Sequence, residues 1–141
     1  MTQRWTLVAL PWLRAHEEYV EARVVELVER FRRSGSVDYA VVADRETGTL
    51  IDGHHRLEAL RRLGAKQVPA VLVDYHDAAI GIRTWREGEK VPTKDEVIAR
   101  AKRGELYPPK TTRHDFVRIL DPVDLPLAQL GVPGGARPKE A

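Results

Sequence analysis

Residues 49–64 read TLIDGHHRLEALRRLG, and the fold turns on how they divide. Thr49, Leu50 and Ile51 suit a short strand, whereas Leu57, Leu60 and Leu63 recur at helical spacing. The period changes at Asp52-Gly53, so a strand passes into a helix through a glycine, and Gly64 stands where a left-handed residue ends such a helix. A helix start carries main-chain N–H groups without intrahelical partners, which favours an anion there. Gly53 lets the chain approach a phosphate closely, His54 and His55 offer imidazole groups, and Arg56 offers a bidentate guanidinium. Asp52 can reach a metal through its carboxylate. The plainer reading is a capped turn with surface histidines. A zinc site is disfavoured, because adjacent residues such as His54 and His55 diverge on a helix.

Working outward, residues 39–43 read as a buried strand, Glu46-Thr47-Gly48 as its turn, and residues 49–51 as the return strand of a hairpin. Upstream, Val20, Val24, Leu27, Val28 and Phe31 trace the apolar face of a helix that ends at Ser34-Gly35. Residues 5–10 suit a first strand that stops at Pro11. Downstream, residues 68–75 form a further strand, and Ile80, Ile82 and Trp85 mark another. Thr93-Lys94-Asp95-Glu96 has the form of a capping box, so Thr93 caps a third helix running to about Arg103. The paired prolines 108 and 109 forbid a helix, which makes residues 108–114 a loop or extended turn. The expected class is α/β, in its α+β form, with a small mixed sheet and about three main helices. One compact domain is expected over residues 1–130, with a disordered tail over the Gly-, Pro- and charge-rich residues 131–141.

Composition limits what such a domain does. With 43% hydrophobic and 31% charged residues, the 141-residue chain is a globular mixture large enough for one core. The absence of cysteine excludes disulfides, thiolate metal sites and a cysteine nucleophile. A net charge of +2 does not by itself call for nucleic acid. No stretch approaches the ~18 apolar residues of a membrane span, so no membrane partner and a cytoplasmic location are expected.

Three further clusters carry candidate chemistry. Lys110-Thr111-Thr112-Arg113-His114 packs two cations, two hydroxyls and an imidazole behind a rigid diproline, a loop able to grip phosphate or carboxylate oxygens or simply to face solvent. Glu17, in His16-Glu17-Glu18 at the expected start of the first helix, is either a general base or a charge favoured by the helix dipole. Trp85 is a ligand wall or part of the rim.

These segments occur together and in order, with Asp74-Tyr75 leading to Thr84-Trp85 between them. In them the chain resembles the free L-serine kinases of the ParB/sulfiredoxin-like superfamily, over most of its length from Leu7 to Leu130. The resemblance implies transfer of a phosphoryl group from an adenine nucleotide, ADP or ATP, with Mg²⁺, to the hydroxyl of free L-serine, giving O-phospho-L-serine. It implies Glu17 as the base that takes the serine proton. Asp52, Gly53, His54, His55 and Arg56 would hold the nucleotide phosphates, Asp52 also placing Mg²⁺. Trp85, Lys110, Thr111, Thr112, Arg113 and His114 would hold the amino acid and the phosphate of the product. The partners so implied are L-serine and the nucleotide, with no specific nucleic acid. Archaeal serine kinases carry a long insertion where this chain has only residues 86–92, which leaves the choice of donor and the oligomeric state open. Sulfiredoxin chemistry is set aside, since it needs a cysteine where His54 or His55 stands. The rival reading is a ParB-like nucleotide-binding regulator or DNA-partition factor without kinase activity. Such proteins normally add a helix-turn-helix reader, for which the prolines beyond Gly104 leave little room.

Overall fold

The computed structural model describes residues 4–115 and 122–136. In chain order these form β1 (Thr6–Ala9), α1 (Glu21–Ser34), β2 (Ser36–Val37), β3 (Val41–Asp44), β4 (Leu50–Asp52), α2 (His54–Arg62), β5 (Gln67–Val73), β6 (Gly81–Arg83), α3 (Lys94–Arg103), β7 (Arg113–Asp115) and β8 (Leu125–Pro126), with short 3₁₀ turns between some of them. The main sheet has the order β1-β5-β3-β4. β1 runs antiparallel to β5, β5 parallel to β3, and β3 antiparallel to β4. A parallel pair needs a crossover, and β4 followed by α2 provides it.

Both faces of this sheet are covered, which is why residues 40–43 and 68–73 are almost unbroken apolar runs. On one face Val41, Ala43, Leu50, Val68 and Ala70 pack with Val24 and Phe31 of α1 and Leu57 and Leu60 of α2. On the other, Val42, Ile51 and Val71 pack with Tyr75, Ile80 and the α3 residues Val97 and Ile98. A fully buried Leu or Phe contributes roughly 1.5–3 kcal/mol, so these two layers hold α1, α2 and α3 in place. α3 begins with the expected capping box: Thr93 Oγ1 accepts from Glu96 N–H, and Glu96 Oε1 accepts from Thr93 N–H, each at 3.1 Å.

Two expectations change. The first helix begins at Glu21, not beside Glu17. Residues 16–18 are instead held extended by Tyr107, whose N–H donates to the His16 carbonyl at 2.7 Å while its own carbonyl accepts from Glu18 N–H at 2.8 Å. Arg113 and His114 are not loop residues but part of β7, paired antiparallel with β6 so that Arg83 faces Arg113 and Ile82 faces His114. Bidentate pairing of Arg83 with Asp115 closes this ribbon. Of the segment read as a tail, residues 131–136 are described: Val132 is buried, and a short turn spans Pro133–Ala136. Residues 137–141 lie outside the described residues. No helix among the described residues is long and apolar enough to cross a membrane.

Candidate active site

A cleft of about 1080 Å³ opens where β4 passes into α2. Gly53 makes this turn with φ 104°, and a Cβ on it would lie 2.7 Å from Val41 Cγ1, so only glycine fits. The N-terminus of α2 has no side-chain cap. Its first-turn N–H groups have no acceptor within the helix and face the cleft that Asp52, Gly53, His54, His55 and Arg56 line.

The histidines are fixed by main-chain donors. His54 Nε2 accepts from His16 N–H at 3.2 Å, and His55 Nε2 accepts from Val20 N–H at 3.0 Å. Each ring, when neutral, therefore carries its proton on Nδ1. Burial, with His114 and His55 nearby, pushes His54 down to about 3, and burial followed by the Arg23 charge lowers His55. Both are neutral donors at physiological pH. Arg56 Nε donates to Asp38 Oδ1 at 3.1 Å, and Arg30 holds the other oxygen of that carboxylate at 2.6 Å. Asp38 thus orients two guanidinium groups along the same wall.

Glu17 lines the same cleft on a second wall, built with the loop of residues 108–112. Its Oε1 accepts from Thr112 N–H at 2.7 Å and from the Thr112 hydroxyl at 2.8 Å, while Oε2 accepts from Lys110 N–H at 3.1 Å. The loop bends to offer these donors because Lys110 adopts a left-handed φ of 64°, the one non-glycine among the described residues to do so. Arg86 secures the bend by donating through Nη2 to the Pro109 carbonyl at 2.9 Å, and Thr111 by donating to the Pro108 carbonyl at 2.6 Å. The dipole reading of Glu17 falls away, since it precedes the helix and is held by a loop 93 to 95 residues later.

Of the expected substrate-side residues, Trp85, Thr112, Arg113 and His114 line the cleft with Glu17. Lys110 and Thr111 do not: Lys110 supplies its main-chain N–H to Glu17, and Thr111 is buried within the loop. Arg113 stacks over the exposed Trp85 ring at 4.1 Å, and His114 Nε2 lies 2.7 Å from the Tyr75 hydroxyl. Sequence reasoning missed Arg23, Glu26, Arg30 and Arg33, which turn one polar face of α1 toward the cleft. Their 3-4-3 spacing was the signal. It also missed Asp38, whose role depends on partners 8 and 18 residues away.

A mixed sheet whose strand-to-helix turn points bare N–H groups and an arginine into a polar cleft is the architecture of a phosphate-binding domain. Residues 11–83 match the ParB N-terminal domain family, and the chain belongs to it. The chain is 33% identical over 102 residues to an ATP-dependent L-serine kinase of Desulfurococcus mucosus, a match covering 70% of this chain and 40% of that protein. It is 27% identical over 122 residues to the ADP-dependent L-serine kinase SerK of Thermococcus kodakarensis, covering 72% and 50%. These matches span half or less of the curated relatives' lengths. The fold is shared with a free serine kinase solved in complex with AMP, with a TM-score of 0.83, 20% identity, and coverage of 92% of this chain and 95% of that one.

Proposed function

We propose that this protein phosphorylates the hydroxyl of free L-serine, using ADP or ATP, to give O-phospho-L-serine. The observation that carries the reading is that Glu17 and the bare N-terminus of α2 line one cleft. Phosphoryl transfer asks a protein mainly to align donor and acceptor and to neutralise charge. The first-turn N–H groups of α2, the Nδ1–H groups of His54 and His55, and Arg56 hold the nucleotide phosphates. Glu17 takes the proton as the serine oxygen bonds to phosphorus and the bond to the leaving nucleotide breaks. Arg113 on Trp85, with His114 beside Tyr75, holds the carboxylate of serine and the phosphate of the product.

The donor set fits Mg²⁺ only in one mode. No group of three or more carboxylates and imidazoles that could hold a metal exists among the described residues. Asp38 and Asp115 are paired with arginines, and Glu17 with the loop. Asp52, at the strand-to-helix turn, would suit an ion held mainly by phosphate oxygens and water, the usual habit of Mg²⁺. Bound there, the ion would neutralise charge on the phosphates.

The direct test incubates the full chain with L-serine, Mg²⁺ and either ADP or ATP, and quantifies O-phosphoserine and the nucleotide product. Formation of O-phosphoserine with one donor is expected, and its absence with both removes the reading. A second expectation separates the two walls. Arg56→Ala should weaken AMP by about tenfold, and Arg113→Ala should weaken O-phosphoserine by a similar factor, the size of one charge-assisted contact. Calorimetry giving unchanged affinities in both variants would remove the two-wall cradle.

A further inference from the structure

His16 is wholly buried, yet the steps above leave its side chain without a part. It lies where the two walls meet. Its main-chain N–H donates to His54 Nε2 on the phosphate side, and its own Nε2 lies 3.0 Å from Thr112 Oγ1 on the Glu17 side. Its ring is held edge-on against His54 and His114, with centroids 4.5 and 5.8 Å away.

The direction of the His16–Thr112 bond follows from counting protons. Thr112 Oγ1 carries one proton, and Glu17 Oε1, 2.8 Å away, is a carboxylate oxygen that only accepts. The hydroxyl proton therefore goes to Glu17, and Oγ1 must receive its other hydrogen bond from His16 Nε2–H. Burial first, then His54 and His114, outweigh a contact with the Leu50 main chain that acts the other way and hold His16 well below the usual imidazole range, so the ring is neutral. Nδ1 is buried and no hydrogen bond of good geometry reaches it, which leaves the single ring proton to Nε2. A proton on Nδ1 would instead leave Nε2 and the Thr112 oxygen facing each other as two acceptors.

We propose that His16 is a positioning residue of the transfer site: its Nε2–H aims the Thr112 hydroxyl at Glu17 and so fixes the Glu17 carboxylate where the acceptor hydroxyl arrives. With its proton and a lone pair committed in this way, Thr112 serves Glu17 rather than the substrate. This role rests on the kinase reading, but its first test does not need turnover.

Heteronuclear NMR of the imidazole nitrogens in the full chain should place the proton of His16 on Nε2 and those of His54 and His55 on Nδ1. A proton on His16 Nδ1 overturns the proposal whether or not the protein is a kinase. The second test compares His16→Leu, which fills the site without donating, with His16→Gln, whose amide can bring an N–H to the Nε2 position. His16→Leu should lower kcat by about 10²-fold with the KM for serine changed less than about threefold, as expected when a reacting group is misplaced. His16→Gln should recover to within about tenfold of the unsubstituted protein. In a His16→Leu/Thr112→Val double variant the losses should not add, because both changes break one chain of hydrogen bonds. Wild-type turnover in His16→Leu, or no recovery in His16→Gln, sinks the proposal. If the unsubstituted protein forms no O-phosphoserine, the kinase reading fails and the imidazole spectrum still decides the role of His16.

Discussion

Glu17→Gln should lower kcat by about 10²–10⁴, the usual worth of a positioned general base. The change keeps the side chain's size but removes its capacity to take a proton. It is not silent for the loop, because the two carboxylate oxygens accept from opposite ends of it. An amide turned to keep its oxygen toward Thr112 retains two of the three hydrogen bonds. Its NH₂ group then meets Lys110 N–H, a donor facing a donor. A stability loss of about 1 kcal/mol is expected from that lost bond, with a modest rise in the KM for serine. Glu18→Gln is the control, since Glu18 is exposed and its hydrogen bond to Tyr107 is made by the main chain. Steady-state kinetics with near-normal kcat in Glu17→Gln, or greater damage from Glu18→Gln, would withdraw Glu17 as the base.

Gly53→Ala should damage both the fold and the phosphate site. At φ 104° a side chain is strained wherever it is placed, and here its Cβ would also lie 2.7 Å from Val41 Cγ1 and 3.1 Å from Val41 Cβ. Backbone strain and overpacking together should cost about 2–4 kcal/mol of unfolding free energy. If the chain shifts to relieve the contact, the N-terminus of α2 moves with it, and AMP affinity should fall by at least about tenfold. Adding Val41→Ala separates the causes. It removes the 2.7 Å contact but leaves the tight one to the residue 41 Cβ and the positive φ, so the double variant should regain part of its thermal stability while AMP binding stays weak. Unchanged AMP affinity in Gly53→Ala, measured by calorimetry, would mean that the turn does not hold the phosphates.

Legibility in the sequence followed the range of the interactions. The β4–α2 turn was readable because its signals are local: a change of hydrophobic period, a glycine, and two histidines and an arginine beside it. The capping box at Thr93 was readable for the same reason. The place of Glu17 was not, because a partner beyond the reach of any sequence window, Tyr107, keeps its segment extended. β7 was hidden likewise, since residues 113–115 gain strand character only by pairing with residues 81–83. The family resemblance gathered the polar motifs into one site. It carried Lys110 and Thr111 along as side-chain contacts, although Lys110 gives its main-chain N–H to Glu17 and Thr111 gives a buried hydroxyl to the loop's own Pro108 carbonyl.

The bonds from Glu17 to Lys110 and Thr112 join positions separated by 93 and 95 residues. Closing so large a ring of chain has an entropic cost that grows only slowly with length, but nearly the whole ring must be ordered before these bonds can form. The Glu17 side of the cleft is therefore expected to form late in folding, after the β3–β5 pairing and the packing of α1 on α2. In the native state the same bonds rest on a loop at one end of the domain, where local opening is cheaper than global unfolding. Proton exchange at the amides of Lys110 and Thr112 thus reports on the assembled site itself, ahead of any loss of the sheet.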